Sequence, residues 1–437
     1  MSPALSILAA AREVPERIAL VAPTGAHSFA ALAARVAPRA AALRGLDRLE
    51  LTAPGDEPTV IEILAALEAR VPLVLLHPRL TDGERDELRS ASRQHALPED
   101  TLAVCFTSGT IGRPRGALLP ASALLAAAAA SALRLGWRED DRWLLSLPLA
   151  HVGGLSVLVR CLVARRAIVL GPPAMIADPR AAITLASLVP AQLDRLLADP
   201  AFAPAPSLRA LLLGGAAAPA PLLARAVQRG LPVLPTYGMT EACAQIATRP
   251  PDLAPLDPDD SAIGPTLASV ELRISGSDSA ILLRGPALFT GYLGEPSPLC
   301  ADGWFDTGDL GALDARGWLR VIGRRDDLII TGGENVHPAE IERALLRCPG
   351  VTAACVVGLP DARYGQLVAA AVIVTDSNVT TTSVDTWARA TLAPHRRPRR
   401  WLTLPALPLT PAGKLDRTAV AHALATVATV ATVATES

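Results

Sequence analysis

The sequence predicts an α/β protein. It has a large N-terminal domain of layered, mostly parallel sheets with a small β-rich subdomain, then a small α+β C-terminal domain. Three observations carry this. Short apolar runs alternate with amphipathic segments, as in Ile18–Val21, Ala30–Leu43, Val60–Ala69 and Pro72–Leu76, and again from Leu102–Phe106 through Ala167–Leu170, Ala182–Leu188, Leu208–Leu213 and Leu231–Pro235. Such alternation favours parallel strands with helices on their faces. From Val270 the runs shorten and turns recur at Gly276, Gly285 and Gly291, a β-rich pattern. Finally, the charged stretch Gly323-Arg-Arg-Asp-Asp327 precedes a new helical segment at Pro338–Arg347.

These breaks predict domains at 1–323 and 324–424, and a low-complexity tail at 425–437 where Ala-Thr-Val repeats. The polar segment Asp82–Asp100 reads as a linker. Ala117–Leu133 carries no charge, but it is alanine-rich, contains Pro120 and is barely long enough to span a bilayer, which takes about 20 residues. It reads as a buried core helix. Formal net charge is −1, which excludes bulk attraction to nucleic acid or anionic membranes. Six cysteines without a C-x-x-C pair argue for buried free thiols in a reducing cytoplasm rather than disulfides or zinc. The N-terminus lacks a basic segment before its apolar run, which Arg12 and Glu13 interrupt, so no signal peptide is expected.

Basic residues number 41, and only Lys414 is a lysine. An ammonium is a compact point charge on a flexible stem, unlike the planar guanidinium. A position that keeps lysine in such a chain is one to examine.

Five segments carry chemistry. Thr107-Ser-Gly-Thr-Ile-Gly-Arg-Pro-Arg-Gly116 follows a predicted strand. Its N–H groups and hydroxyls can wrap phosphate oxygens, although it is not a Walker A loop. Tyr237-Gly-Met-Thr-Glu241 offers a ring for a base, a hydroxyl for phosphate and a carboxylate for Mg²⁺. Gly303-Trp-Phe-Asp-Thr-Gly-Asp309 places two carboxylates around a turn, with Asp309 suited to two ribose hydroxyls. Gly323–Asp327 runs on to Thr331-Gly-Gly-Glu-Asn335, and Leu409-Thr-Pro-Ala-Gly-Lys-Leu-Asp416 carries the sole lysine. Singly, each is an ordinary turn.

Together, in this order from about Ala103 to Ala421, they resemble the adenylate-forming enzymes: acyl- and aryl-CoA synthetases, peptide-synthetase adenylation domains and luciferases. The resemblance implies ATP, Mg²⁺ and CoA. It implies that Lys414, Thr240, Glu241 and His151 are catalytic, with Glu241 also holding the metal. Nucleotide binding would fall to Thr107, Ser108, Gly109, Thr110, Gly112, Gly214, Gly215, Ala216, Tyr237, Gly238, Asp309 and Arg324. The small domain would be mobile about a hinge at Asp326, bringing Gly332, Gly333 and Glu334 to the thiol step and withdrawing Lys414. The family more often has Thr at Ile111 and Lys at Arg115. Arg115 keeps the charge.

The stretch Leu147-Pro-Leu-Ala-His-Val-Gly-Gly-Leu-Ser156, continuing through Arg160, and Ser187–Leu197 resemble the o-succinylbenzoate–CoA ligases of menaquinone biosynthesis. His151, Gly154, Ser156, Arg160 and Met239 would line the acid's pocket, Gly153, Gly154 and Ser156 leaving room for an aromatic ring. Arg160 would meet a second carboxylate, although an arginine on a helix surface is the plainer reading. Fatty-acyl or aryl-CoA ligation, and a non-catalytic nucleotide-binding protein, are the alternatives. A small-molecule acid, ATP and CoA are the expected partners, without nucleic acid or membrane insertion. A homodimer is the assembly to test.

Overall fold

The computed structural model describes residues 2–107, 114–253, 256–258, 260–375, 379–409 and 415–433. Ser108, Gly109, Thr110, Ile111 and Gly112 of the phosphate segment, and Lys414, lie outside them.

The largest sheet has eight strands. Six are parallel neighbours in the order Val233–Met239, Ala210–Leu213, Leu185–Leu188, Arg142–Leu145, Ala167–Leu170 and Ile18–Ala22. An antiparallel strand closes each edge, Ala244–Thr248 on one side and Gly25–Ser28 on the other. Both faces of this sheet are buried, as parallel strands require. Along Arg142–Leu145, Trp143 and Leu145 enter one core while Leu144 enters another. Ile168 and Leu170 alternate with Val169 in the same way. The period of two places successive side chains on opposite faces.

A second sheet pairs Leu49–Thr52, Leu73–Leu76 and Thr101–Thr107 in parallel, then Arg115–Pro120 and Gly291–Tyr292 antiparallel. A third is antiparallel: Glu271–Ile274, Ala280–Arg284, Phe305–Leu313 and Leu319–Arg324. Beyond it, Ile329–Thr331, Glu334–Val336, Val351–Asp361, Gly365–Val374 and Arg400–Thr403 form another sheet, which has separate apolar clusters on its two faces.

Several elements differ from expectation. Asp82–Arg93 is a helix, not a linker. Thr81 and Glu84 close a capping box, and only Leu88 and Ser92 are buried, so the apolar period was too thin to read. Ala117–Leu133 is a strand and a helix: Arg115–Pro120 pairs with Thr101–Thr107, and Ala121–Leu135 follows. Pro120 lacks the N–H a helix interior needs and stands as the helix N-cap. Five cysteines are buried, but Cys300 is exposed. Burial pushes the Cys105 thiol up to about 12. The final helix, Arg417–Val433, runs into the Ala-Thr-Val repeat. Val420 and Leu424 anchor its start, and alanine favours its continuation. Among the described residues, no helix is long and apolar enough to cross a membrane.

The amino ends of three parallel strands share one buried carboxylate. Asp141 accepts from Thr184 Oγ1 at 2.7 Å, from the Arg138 N–H at 2.7 Å, and from Arg209 Nε and Nη2 at 2.9 and 2.6 Å. Burial opposes its ionisation, but the Arg209 fork and the other donors win and hold it below the usual carboxylate range. This end of the sheet is pinned, and the carboxyl ends are left for chemistry. Arg209→Met strands a buried charge and should cost about 3–5 kcal/mol by urea unfolding at pH 7. Because the native carboxyl is depressed, its contribution is present above the unfolded value of about 3.9 and is lost as pH falls through the native one. The stability difference between wild type and variant should therefore shrink in acid.

Candidate active site

Tyr237 stands near the carboxyl end of Val233–Met239. Its hydroxyl donates to Asp309 Oδ2 at 2.6 Å. Burial, then the Asp309 charge, pushes the phenol well above its ordinary value, so the ring stays neutral. Asp309 lies opposite Arg324 in the antiparallel pair, and Arg324 Nη1 is 3.4 Å from Oδ1. The Asp309 N–H donates to Thr307 Oγ1 at 3.0 Å, and that hydroxyl donates to the Ile281 carbonyl at 2.8 Å. Three residues from separate segments thus form one group. Gly214 follows the neighbouring strand, and a Cβ there would fall 2.7 Å from Thr236 Cγ2. Gly215, in the left-handed region, and Ala216 are exposed.

Gly238 has no room for a side chain: a Cβ would meet the Ala244 carbonyl at 1.7 Å, where the next strand folds back. Between them Thr240–Ala242 makes a single 3₁₀ turn. It delivers Glu241, which is 8% exposed. Tyr292, a residue the sequence reading missed, donates to Glu241 Oε1 at 2.7 Å. Burial and the Glu241 charge push the Tyr292 phenol upward. Among the described residues, Oε2 has no protein donor, so a hard oxygen ligand is open to a cation. Glu241 and the adjacent Thr240 hydroxyl fit the magnesium ion that the resemblance implies.

Arg115 is held by an aromatic ring and a carboxylate. Its guanidinium carbon lies 3.4 Å from the Tyr292 ring centroid, and Nε donates to Glu295 Oε1 at 2.9 Å. It braces Tyr292, and through it Glu241. Thr107, at the end of its strand, donates to the Arg115 carbonyl at 3.4 Å.

His151 is the N-cap residue of Val152–Ala164. Its ring centroid is 4.7 Å from that of His77, another residue without a sequence signal beyond its place after the apolar run Leu73–Leu76. His77 Nδ1 accepts from the Arg79 N–H at 3.1 Å. Burial, then the Arg79 charge, lowers its pKa. A cavity of about 280 Å³ lies beside His77, reached by Gly55, Arg79, Ser146 and Pro148.

The small residues of the next helix have packing reasons. A Cβ on Gly154 would meet the Pro148 and Leu147 carbonyls at 2.3 and 2.8 Å. Ser156 donates to the Gly153 carbonyl at 2.9 Å. Arg160 is 3% exposed, inside rather than on the helix surface. Its guanidinium carbon is 5.4 Å from the Trp143 ring centroid, and among the described residues Nε and Nη2 have no hydrogen-bond partner. Burial pulls its pKa down to about 10. Met239 is half-buried beside the Thr240–Ala242 turn.

Gly332 and Gly333 form a hairpin turn with φ 59° and 84°, which is why both are glycine. They and Glu334 are exposed. The Gly332 N–H donates to the Tyr364 carbonyl at 2.8 Å. This loop is joined to its own sheet. Asp326 is exposed in the turn after Arg324.

Residues 82–293 match the AMP-binding enzyme family, and 340–414 match the AMP-binding enzyme C-terminal domain. A 2-succinylbenzoate–CoA ligase of Bacillus velezensis is 38% identical over 76% of this chain and 72% of its own length. The chain belongs to the AMP-binding enzyme family. Another 2-succinylbenzoate–CoA ligase of this family, from Bacillus cereus, is 36% identical over 85% of this chain and 80% of its own. The solved o-succinylbenzoate CoA synthetase of Bacillus subtilis, in complex with its acyl-adenylate intermediate, superposes with a TM-score of 0.85. It is 31% identical, with 95% and 97% of the two chains covered. ATP-bound MatB from Rhodopseudomonas palustris gives 0.86 at 26% identity, over 97% and 99%.

Tyr292→Phe deletes the described donor to Glu241. Losing a hydrogen bond to a charged group is worth about 1.5–3 kcal/mol. ATP binding, followed by calorimetry across a magnesium titration, should need about tenfold more Mg²⁺ or higher.

Proposed function

We propose that this chain is an ATP-dependent, AMP-forming acid–CoA ligase whose acid is 2-succinylbenzoate, working in menaquinone biosynthesis in the cytoplasm. The names of its relatives support this. The observation that carries the choice of acid is Arg160. A buried guanidinium with two nitrogens unpartnered among the described residues, on the helix that His151 caps, suits a second carboxylate. 2-Succinylbenzoate has one, whereas a simple fatty or aryl acid does not.

In the first step the acid's carboxylate oxygen bonds to the α-phosphorus and the bond to pyrophosphate breaks, leaving acyl-AMP. In the second the CoA sulfur, its proton removed, bonds to the acyl carbon and AMP leaves. There is little covalent work for the protein in the first step, so positioning and charge dominate. Lys414 supplies an ammonium beside the carboxylate and α-phosphate. The loop from Thr107 to Gly112 holds the β- and γ-phosphates. Asp309 and Arg324 orient the ribose, and Tyr237 flanks the base with Gly214, Gly215 and Ala216. Magnesium, when bound, neutralises phosphate charge, with Glu241 as its ligand. The C-terminal domain beyond Asp326 then turns about that residue, withdrawing Lys414 and presenting Gly332, Gly333 and Glu334 for the thiol step.

Pyrophosphate release should require ATP and 2-succinylbenzoate but not CoA. Thioester should appear only once CoA is added. Turnover with fatty acids alone would sink the choice of acid, and no turnover with any acid would favour a non-catalytic nucleotide-binding protein. Arg160→Met should raise the KM for 2-succinylbenzoate by about 10–100-fold, the loss of a charge-assisted hydrogen bond. A monocarboxylic aryl acid should lose little by the same change, and an unaltered KM for the diacid would remove Arg160 from the pocket.

A further inference from the structure

The turn that contains Asp326 is gripped from two sides. One residue before it, Arg325 reaches back to the antiparallel sheet of the large domain. Nη1 is 2.9 Å from Asp306 Oδ2, Nη2 is 3.0 Å from Asp278 Oδ2, and the Arg325 N–H donates to the Gly308 carbonyl at 2.8 Å. One residue after it, Asp327 reaches forward: its Oδ2 accepts from Arg417 Nε at 3.1 Å. Asp326 alone separates the two grips, and it is exposed.

Arg417 is the first residue of the last helix and stands three positions after Lys414. Besides Asp327, it pairs with both oxygens of Glu342 on the helix Pro338–Leu345, and Nη1 donates to the Val356 carbonyl at 2.8 Å. The chain just before it is also fastened. Leu409 and Leu415 form an antiparallel bridge. The Asp416 N–H donates to the Pro408 carbonyl at 3.0 Å, and Asp416 Oδ1 accepts from the Ala419 N–H at 2.9 Å. The segment that carries the sole lysine therefore leaves from and returns to a closed base, and Arg417 bolts that base to the carboxylate beside the hinge.

We propose that Arg417 is a positioning residue for adenylation, acting through Asp327. The Arg417–Asp327 link makes the base of the lysine segment move with the first residue beyond the pivot. The Arg325 grip keeps the residue before the pivot on the large domain, so rotation is confined to the backbone around Asp326. Glu342 and Val356 are enough to seat the helix start. The bond to Asp327 adds a tie between hinge and lysine segment that the helix itself does not need. This rests on the reading above that Lys414 serves the first step. In such a step a displacement of about 1 Å at a group outside the chemistry is worth about 10²-fold in rate.

The test separates the two half-reactions in the full-length chain. Adenylation is followed by ATP–pyrophosphate exchange with 2-succinylbenzoate. Thioester formation is followed from supplied 2-succinylbenzoyl adenylate and CoA. Asp327→Asn keeps shape and leaves the Glu342 and Val356 contacts. Arg417→Lys keeps the charge but loses the fork that spans two acids. Each should lower kcat of adenylation by about 10²-fold with KM for ATP unchanged, leave thioester formation within about threefold, and shift melting by only a few degrees. Asp327→Glu, which restores the charge, should recover most of the lost rate. A proportional loss in both halves, or full adenylation by Asp327→Asn, overturns the proposal and leaves the cluster a purely structural tie. Lys414→Ala that keeps full ATP–pyrophosphate exchange overturns the underlying reading instead, so the two failures are distinguishable.

Discussion

The Asp309 carboxylate is where the parts of this molecule meet. One oxygen takes the Tyr237 hydroxyl from the parallel sheet, and the other faces Arg324 at the end of the last strand before the hinge turn. The Asp309 N–H is tied to Thr307. A nucleotide pocket requires base-side and ribose-side groups to hold their spacing without rebuilding on each turnover. A short bond between two side chains from different sheets does that. It also hands the geometry on, because the residue after Arg324 is the one that grips the large domain.

A second chain of contacts governs charge. Glu241 is nearly buried, and a buried carboxylate needs polar partners around it. Tyr292 donates to it, and Arg115 lies over the Tyr292 ring while forking to Glu295. Arg115 thus braces an acid through the ring it covers. This fits the abundance of arginine: a planar fork that stacks and pairs at once is what this place uses, and an ammonium does neither as well.

Much of the fold was legible because hydrophobic period is local. Trp143, Leu144 and Leu145 alternate between two cores, and the run Ala167–Leu170 is a strand with the bounds read from sequence. Where the signal failed, the reason is physical. Asp82–Arg93 buries so few residues that its helix is carried by its cap. Between Arg115 and Arg134 the strand and helix carry no charge from Gly116 to Leu133, so no clear period marks the change from strand to helix, and only the proline does. Gly154 is small because carbonyls of the Leu147–Pro148 turn cross the helix there, a constraint that has no trace in its neighbours.

By itself the sequence determined the layered α/β class, the order of five chemical segments and the single lysine among 41 basic residues. These follow from residue type and spacing along the chain. Only the tertiary structure decided that Tyr292 serves Glu241, that His77 sits against His151, that Arg160 is buried without a full set of partners, and that Arg417 is tied to Asp327. Except for the burial of Arg160, each of those facts joins residues tens of positions apart, on elements whose packing, rather than composition, brings them together.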